Sequence, residues 1–486
     1  MKTKLLSLFL LIALVASSCA AKENAPAALG NKNSDSTSDS VEETSEQVEY
    51  PEYDLDLDGA TFRMLYFDAV EACGWSNEIP CDIDAAELNG EPLSDAVYYR
   101  NRKIEDKYNL KIETKKELWE VYAPLERSVM SGSGDWDVAF PKYDGIKSPI
   151  SKGYLVGLDD LLDFSKPWWD TKSQEGFNIL GKTYAIAGDL TFMDKFSYII
   201  IMFNKSMAED FRLGNIYSMV IDRKWTFDKM LEMCRIVSYD LNSDNKRDTS
   251  DRYGFSGQND AAYELFQSAG EKFCTLDKDG IPYMSIDSER AVSILIKVYE
   301  FMGDKENFFN RQAANLTVAE TVSMFTEDRV LFLMRPLQTL MELRAMKADF
   351  GIIPTPLMDD TQTEYHTSIG HTVAIAPCIP IDANDIEASA AVLDMLAAES
   401  YININELLYD LILGTKLSRD ENSTENLDII FNNCVYDPGC IFDFGGMARA
   451  LMNPLDPSSV TSKLETFRKA VAKDIEKLIE SIGENS

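Results

Sequence analysis

The most explicit chemistry in the sequence lies in one loop, Asp240-Leu241-Asn242-Ser243-Asp244-Asn245-Lys246-Arg247-Asp248-Thr249-Ser250-Asp251. Counted from Asp240, oxygen-bearing side chains fall at the first, third, fifth, ninth and twelfth places, and the Lys246 carbonyl falls at the seventh. A hard cation needs about six to eight oxygens, and this spacing wraps them round one centre. Asn245 stands where such loops usually carry glycine, and Asn tolerates the left-handed backbone required there. Asp251 stands in for the usual bidentate Glu and has a shorter reach. A helical stretch precedes the loop and an extended one follows it, so the spacing points to a single structural Ca2+; the competing reading is an acidic surface loop.

Little else in the chain suits catalysis. His366 and His371 are the only histidines, which leaves scant material for a histidine-based triad or a zinc site. No Gly-x-Ser-x-Gly elbow occurs, no Cys-x-x-Cys spacing exists, and the many acids form no recognisable acid and nucleophile pair. Those acids number 81 against 47 basic residues, a net charge of −34. Such a surface repels phosphate backbones and argues against nucleic acid as a partner.

The start of the chain reads as an export signal. Lys2 and Lys4 precede an apolar run from Leu5 to Val15, too short for a permanent span, and Ala16-Ser17-Ser18 precede Cys19. Small residues followed at once by Cys resemble a bacterial lipobox, which would leave a lipid on Cys19. Residues 20–50 are Ser, Thr, Asn and acids without apolar periodicity, a composition that cannot offset its ordering entropy. They read as a disordered acidic tether. Export permits disulfides, and Cys73 with Cys81, or Cys434 with Cys440, are close enough in sequence to staple loops; Cys234, Cys274 and Cys378 read as buried small hydrophobes.

The rest alternates strand-like and helix-like segments without an internal repeat, which favours an α/β architecture. Strands are expected at Ala60–Tyr66, Leu110–Thr114, Asp137–Phe140, Tyr198–Phe203, Tyr253–Gly257, Val330–Met334, Phe350–Ile353 and Thr372–Ala376. A helix over Ser94–Tyr108 is expected to cover a sheet face, Thr226 is expected to cap another, and Leu464–Ile482 has the amphipathic period of a terminal helix.

Several short runs then fall in a characteristic order: Gly134-Asp135-Trp136-Asp137, Lys152-Gly-Tyr-Leu-Val-Gly-Leu158, Pro167-Trp168-Trp169, Gly181-Lys-Thr-Tyr184, Phe203-Asn-Lys205, Lys224-Trp-Thr-Phe-Asp228 and Phe350-Gly-Ile-Ile-Pro354. Taken together they resemble the extracellular solute-binding proteins of carbohydrate importers, the broad family that includes maltose-binding protein, over nearly all of residues 54–486. The resemblance implies a periplasmic-binding-protein-like α/β fold: two lobes, a hinge and a ligand cleft between them. The N-terminal lobe would comprise residues 51–188 and 377–417, and the C-terminal lobe 197–370 and 424–486. Crossovers would lie near 188–197, 370–377 and 417–424. It further implies a monomer, tethered by lipid to the outer face of the cytoplasmic membrane, that closes on a small solute and delivers it to ABC permease subunits. A secreted carbohydrate-active enzyme and a lipid-anchored adhesin are the alternatives.

A sugar cleft needs aromatic faces and polar edges, and ligand-facing residues lie just past strand ends. That rule selects Lys142, Tyr143 and Asp144 after Phe140, Asp189 after Ile186, Gln258, Asn259 and Tyr263 after Gly257, and Arg335 after Met334. Trp168 is a further candidate as a stacking platform, against core packing. Adjacent residues point in different directions, so at most one of Trp168 and Trp169 should face the cleft.

Overall fold

Two separate sheets organise the chain. β1 (Ala60–Phe67), β2 (Leu110–Glu117) and β3 (Val138–Phe140) are parallel in the order β2-β1-β3, with Met64 opposite both Thr114 and Val138. Helix α1 (Pro92–Tyr108) carries the chain from β1 to β2. Pro92 sits in its first turn, where a missing N–H costs nothing, and the Glu91 carboxylate caps the Leu93 and Ser94 amides. Its buried face includes Val97, Ile104 and Tyr108, the face that the sequence period marks. This computed structural model describes residues 49–343, 349–413 and 421–485.

The second sheet has five strands: β4 (Ile199–Asn204), β5 (Tyr253–Gly257), β6 (Phe308–Asn310), β7 (Val330–Pro336) and β8 (Phe350–Ile353). Their order is β6-β5-β7-β4-β8; β6, β5 and β7 run parallel, and β4 is antiparallel to both its neighbours. β4 and β8 are buried along their whole length, so they read as continuous apolar runs without alternation. Helix α2 (Phe227–Val237) starts at Thr226, whose hydroxyl accepts the Lys229 amide at 3.2 Å, as the sequence predicts. Helix α3 (Ala261–Gln267) follows β5. The later chain adds α4 (Ile386–Asn403), α5 (Asn405–Leu413), α6 (Glu421–Asn432) and α7 (Val460–Asn485).

The chain passes between the sheets at 188–198 and again at 369–378. The two segments meet where Tyr198 bridges Ile369 and the Gly370 amide donates to Ser197 O at 3.1 Å. Gly188 opens the first segment so close to the preceding turn that a Cβ there would lie 2.4 Å from the Trp168 carbonyl oxygen. The expected strand at Thr372–Ala376 is not formed. A turn occupies its start and Pro377 cannot donate, so only single bridges link Ile375 to Lys142 and Cys378 to Ala139.

Neither cysteine pair is joined, and all seven described cysteines are free thiols. Each has another partner: the Cys81 sulfur accepts the Asp84 amide, and the Cys434 thiol faces the Ile430 and Phe431 carbonyls. The export signal, Cys19, nearly all of the tether, and residues 417–420 of the third expected crossover lie outside the described residues. No helix among the described residues is long and apolar enough to cross a membrane.

Candidate functional site

The parallel strands β6, β5 and β7 end together and deliver polar side chains to one place. Asn310 pairs with Gly257, and Leu333 pairs with Ser256, so Arg311 and Arg335 fall on either side of Gln258. Gln258 joins them: its Oε1 accepts from Arg311 Nη2 at 2.8 Å and from Arg335 Nη1, while its Nε2 donates to Asp260 Oδ2 at 2.7 Å. One amide thereby holds two guanidinium groups and a carboxylate in fixed relation. Tyr263 and Glu264 follow on α3, and the Tyr263 ring stands edge-on to His371 with centroids 5.3 Å apart.

His371 connects this cluster to the first sheet, because its carbonyl accepts the Asp144 amide at 3.1 Å. Asp144 in turn pairs with Lys142 at 3.2 Å. The Lys142 ammonium lies 5.1 Å from the ring of Trp119, an exposed indole just beyond β2. These contacts link residues from the first sheet to the strand-end cluster of the second.

Burial sets its electrostatics. It pushes the Asp260 carboxyl up, against the opposing pull of Gln258 and Arg335, and pushes Glu264 well up. Burial also pulls Arg335 and His371 down, the latter partly offset by Asp144. Several atoms have no hydrogen-bond partner among the described residues: Arg311 Nε, Arg335 Nε, Asp260 Oδ1 and His371 Nδ1. A buried polar atom left unpaired costs about 1–3 kcal/mol, so each of these atoms would gain from a polar partner.

No protein-family model matches this chain, and no curated protein does so by sequence. Solved structures do match in shape. Chain UspC of M. tuberculosis superposes with a TM-score of 0.55 at 13% identity, covering 85% of this chain and 100% of that one. An ABC substrate-binding protein from Listeria monocytogenes, solved in complex with cycloalternan, gives 0.52 at 14% identity over 88% of this chain and 100% of its own. The maltose-binding periplasmic protein MalE of the same organism, in complex with maltose, gives 0.53 at 14% identity over 88% and 99%. The fold is that of ABC substrate-binding proteins.

Of the residues expected to face a ligand, the structure gathers Lys142, Asp144, Tyr263 and Arg335 at or next to this cluster. Gln258 belongs to the cluster as the residue that positions the two arginines. Asn259 sits beside it but is committed to Asn310 and Asn453. Tyr143 points the opposite way from its neighbours, as alternation along an extended segment requires; it is buried against Phe177 and Tyr436. Trp168 is in the core, 1% exposed, with its indole donating to Asp394 at 2.7 Å. Asp189 lies apart from the cluster, lining a cavity of its own with its partner Lys195.

The strand-end rule also reaches residues that were not singled out from sequence. Trp119 follows β2 and Arg311 follows β6, but neither strand end is marked by an apolar run. Asp260 and Glu264 flank chosen positions. His371 becomes a site residue only because the crossover brings it to Asp144.

The acidic loop is organised by its own backbone. Asp240 accepts the Ser243 and Asn245 amides, Asn242 accepts that of Asp244, and Asp244 accepts that of Lys246. Ser243 and Asn245 both have φ of 61°, the left-handed turn expected at Asn245. Asp248 caps Ser250. Asp251 departs from the expected ligand role: it is fully buried, accepts the Leu241 and Asp248 amides, and faces Arg247 at 3.8 Å. Among the described residues no group of three or more His, Cys, Asp or Glu side chains stands close enough to hold a metal ion.

Proposed function

We propose that this protein is a lipid-anchored solute receptor of an ABC importer, and that its solute is a sugar or oligosaccharide bound between the two sheets. The observation that carries the reading is the mixed character of the strand-end cluster. Arginine Nε atoms can only donate, a carboxylate oxygen accepts, and a histidine nitrogen does either. A hydroxyl both donates and accepts, so a ligand bearing several neighbouring hydroxyls satisfies all of them at once. Trp119 adds an exposed aromatic face beside Lys142, the kind of platform on which a sugar ring stacks.

Structures of similar shape are described as binding proteins in complex with cycloalternan and with maltose, which supports carbohydrate as the class and binding without turnover as the activity. The Cys19 lipobox and acidic tether support attachment at the outer face of the cytoplasmic membrane. Delivery to a permease follows from the receptor reading, with closure about the crossovers at 188–198 and 369–378 as the signal.

A thermal-shift panel of maltodextrins, other oligosaccharides and monosaccharides tests the reading. A true ligand should stabilise the protein by about 2.7 kcal/mol at a hundredfold excess over its Kd. Arg335→Ala should weaken that ligand by about 1.5–3 kcal/mol, the worth of a hydrogen bond from a charged donor, and because Arg335 is buried and bonded to Gln258 the ligand-free melting temperature should fall as well. A panel without any stabilising sugar, or recovery of a chemically altered sugar, would defeat the proposal.

A further inference from the structure

The strands of the first sheet run parallel, so their carboxyl ends open on one edge, the edge at which α/β folds bind ligands. Phe67 ends β1, Trp119 lies two residues beyond β2, and Lys142 lies two residues beyond β3. The three side chains meet there. The Lys142 ammonium lies over the Trp119 ring, 5.1 Å from its centroid, and over the Phe67 ring at 5.7 Å. The two rings are themselves 5.5 Å apart, tilted by 52°.

The three are held very differently. Phe67 is 2% exposed within a strand, whereas Trp119 is 47% exposed on a bend outside any strand or helix. An exposed side chain on such a bend would sample several staggered rotamers, and contact with Phe67 and Lys142 opposes that freedom. Lys142 is anchored along its backbone: its carbonyl accepts the Tyr122 hydroxyl, it bridges Ile375, and the next amide, of Tyr143, donates to Ala374 O at 2.9 Å. Lys142 and Asp144 point to the same side of this extended segment. Ammonium and carboxylate lie 3.2 Å apart there, with side chains 13% and 23% exposed. The lysine charge is thus balanced within the protein, and the ammonium offers little surface to a solute. What reaches solvent is the indole.

We infer that Lys142 is a positioning residue and not a solute contact: its ammonium fixes the Trp119 indole as the platform on which a sugar ring stacks. The inference rests on the receptor reading given above. A cation–π contact strengthens as the cation is withdrawn from water, and this ammonium is largely withdrawn. A platform fixed beforehand also spares the solute the cost of ordering it.

Tryptophan emission and calorimetry test this together. The Trp119 signal is the difference between the native protein and Trp119→Phe. In Lys142→Met, with no sugar present, acrylamide should quench that signal about twofold more and its anisotropy should fall. Lys142→Arg should restore both, because a guanidinium also rests on an aromatic face. Lys142→Met combined with Asp144→Asn should match Lys142→Met, and it leaves no lone carboxylate to disturb the fold. With maltotriose as the probe, or the panel sugar that binds where maltotriose does not, Trp119→Ala should lose about tenfold in affinity and Lys142→Met about fivefold. Lys142→Met should cost nothing further once Trp119→Ala is present. Unchanged quenching in Lys142→Met overturns the clamp. An equal loss of affinity in both backgrounds makes Lys142 a direct solute contact and overturns its positioning role. Failure of every sugar to bind would instead sink the receptor reading, and the sugar-free quenching would still decide the clamp.

Discussion

Three donors from distant parts of the chain meet at the Asp394 carboxylate. Trp168 and Trp169 both give their indole N–H to Oδ1, at 2.7 and 2.9 Å, and the Tyr53 hydroxyl gives to Oδ2 at 2.7 Å. Asp394 itself is buried on α4. Asp394→Ala would leave two buried indole donors without an acceptor, at about 1–3 kcal/mol each. The expected result in denaturant is a loss of several kcal/mol with the m-value unchanged, and sugar affinity preserved because no ligand contact is touched. Unaltered stability would mean that both indoles find other acceptors. The adjacent tryptophans also show what sequence leaves hidden: nothing local to them indicates that a single carboxylate oxygen more than two hundred residues away accepts from both.

Among the elements, those legible from sequence are the ones whose signal is local. β4 and β8 are apolar runs, α1 carries the helical period together with a proline-started first turn, and Thr226 caps α2 through its own hydroxyl. What sequence missed depends on partners far along the chain, as when the crossover at 369–378 gains its shape from β3 and Ser197 and not from the β-branched residues within it. The acidic loop falls between these cases. Its left-handed Asn245 is as expected, whereas the Asp251 carboxylate serves as an internal clasp for the loop. Calcium remains our proposal for this loop with Asp251 excluded, because Asn242, Asp244 and Asp248 are exposed and a cation would compete with the loop's own amides for their oxygens. Calcium at tenfold over its Kd should then raise stability by about 1.4 kcal/mol relative to EDTA, and Asp244→Ala should remove the gain. Coincident melting curves with and without EDTA would leave a loop held by amides alone.

At the scale of the whole molecule, two buried carboxyls near the first crossover govern how stability should respond to pH. Asp82 accepts the Met193 amide at 3.0 Å, and its own carbonyl is held by Arg100, which also reaches Ser400 on α4. Burial pushes Asp82 up to about 7 and Asp194 up to about 8, both from an ordinary 3.8. A carboxyl raised in this way keeps its proton in the folded chain while the unfolded chain releases it. Its stabilising contribution is present in full below about 3.8 and is lost as pH rises through about 7 to 8. His366 and His371 act in the opposite sense: burial lowers both from 6.5, so acid below that value favours the unfolded chain. The clean window therefore runs from about pH 8 down to about 6.5, where the carboxyls titrate and the histidines have barely begun. Within it, acidification should raise stability by about 1 kcal/mol per pH unit for each engaged carboxyl. The net charge of −34 pushes the same way, since fewer negative charges mean less self-repulsion, so a rise in the native protein alone is ambiguous. Asp194→Asn resolves it, because the variant keeps the surface charge and loses one buried titration. Denaturation midpoints across the window should show a clearly shallower slope in Asp194→Asn than in the native protein, and equal slopes would mean that the Asp194 carboxyl contributes nothing to the effect.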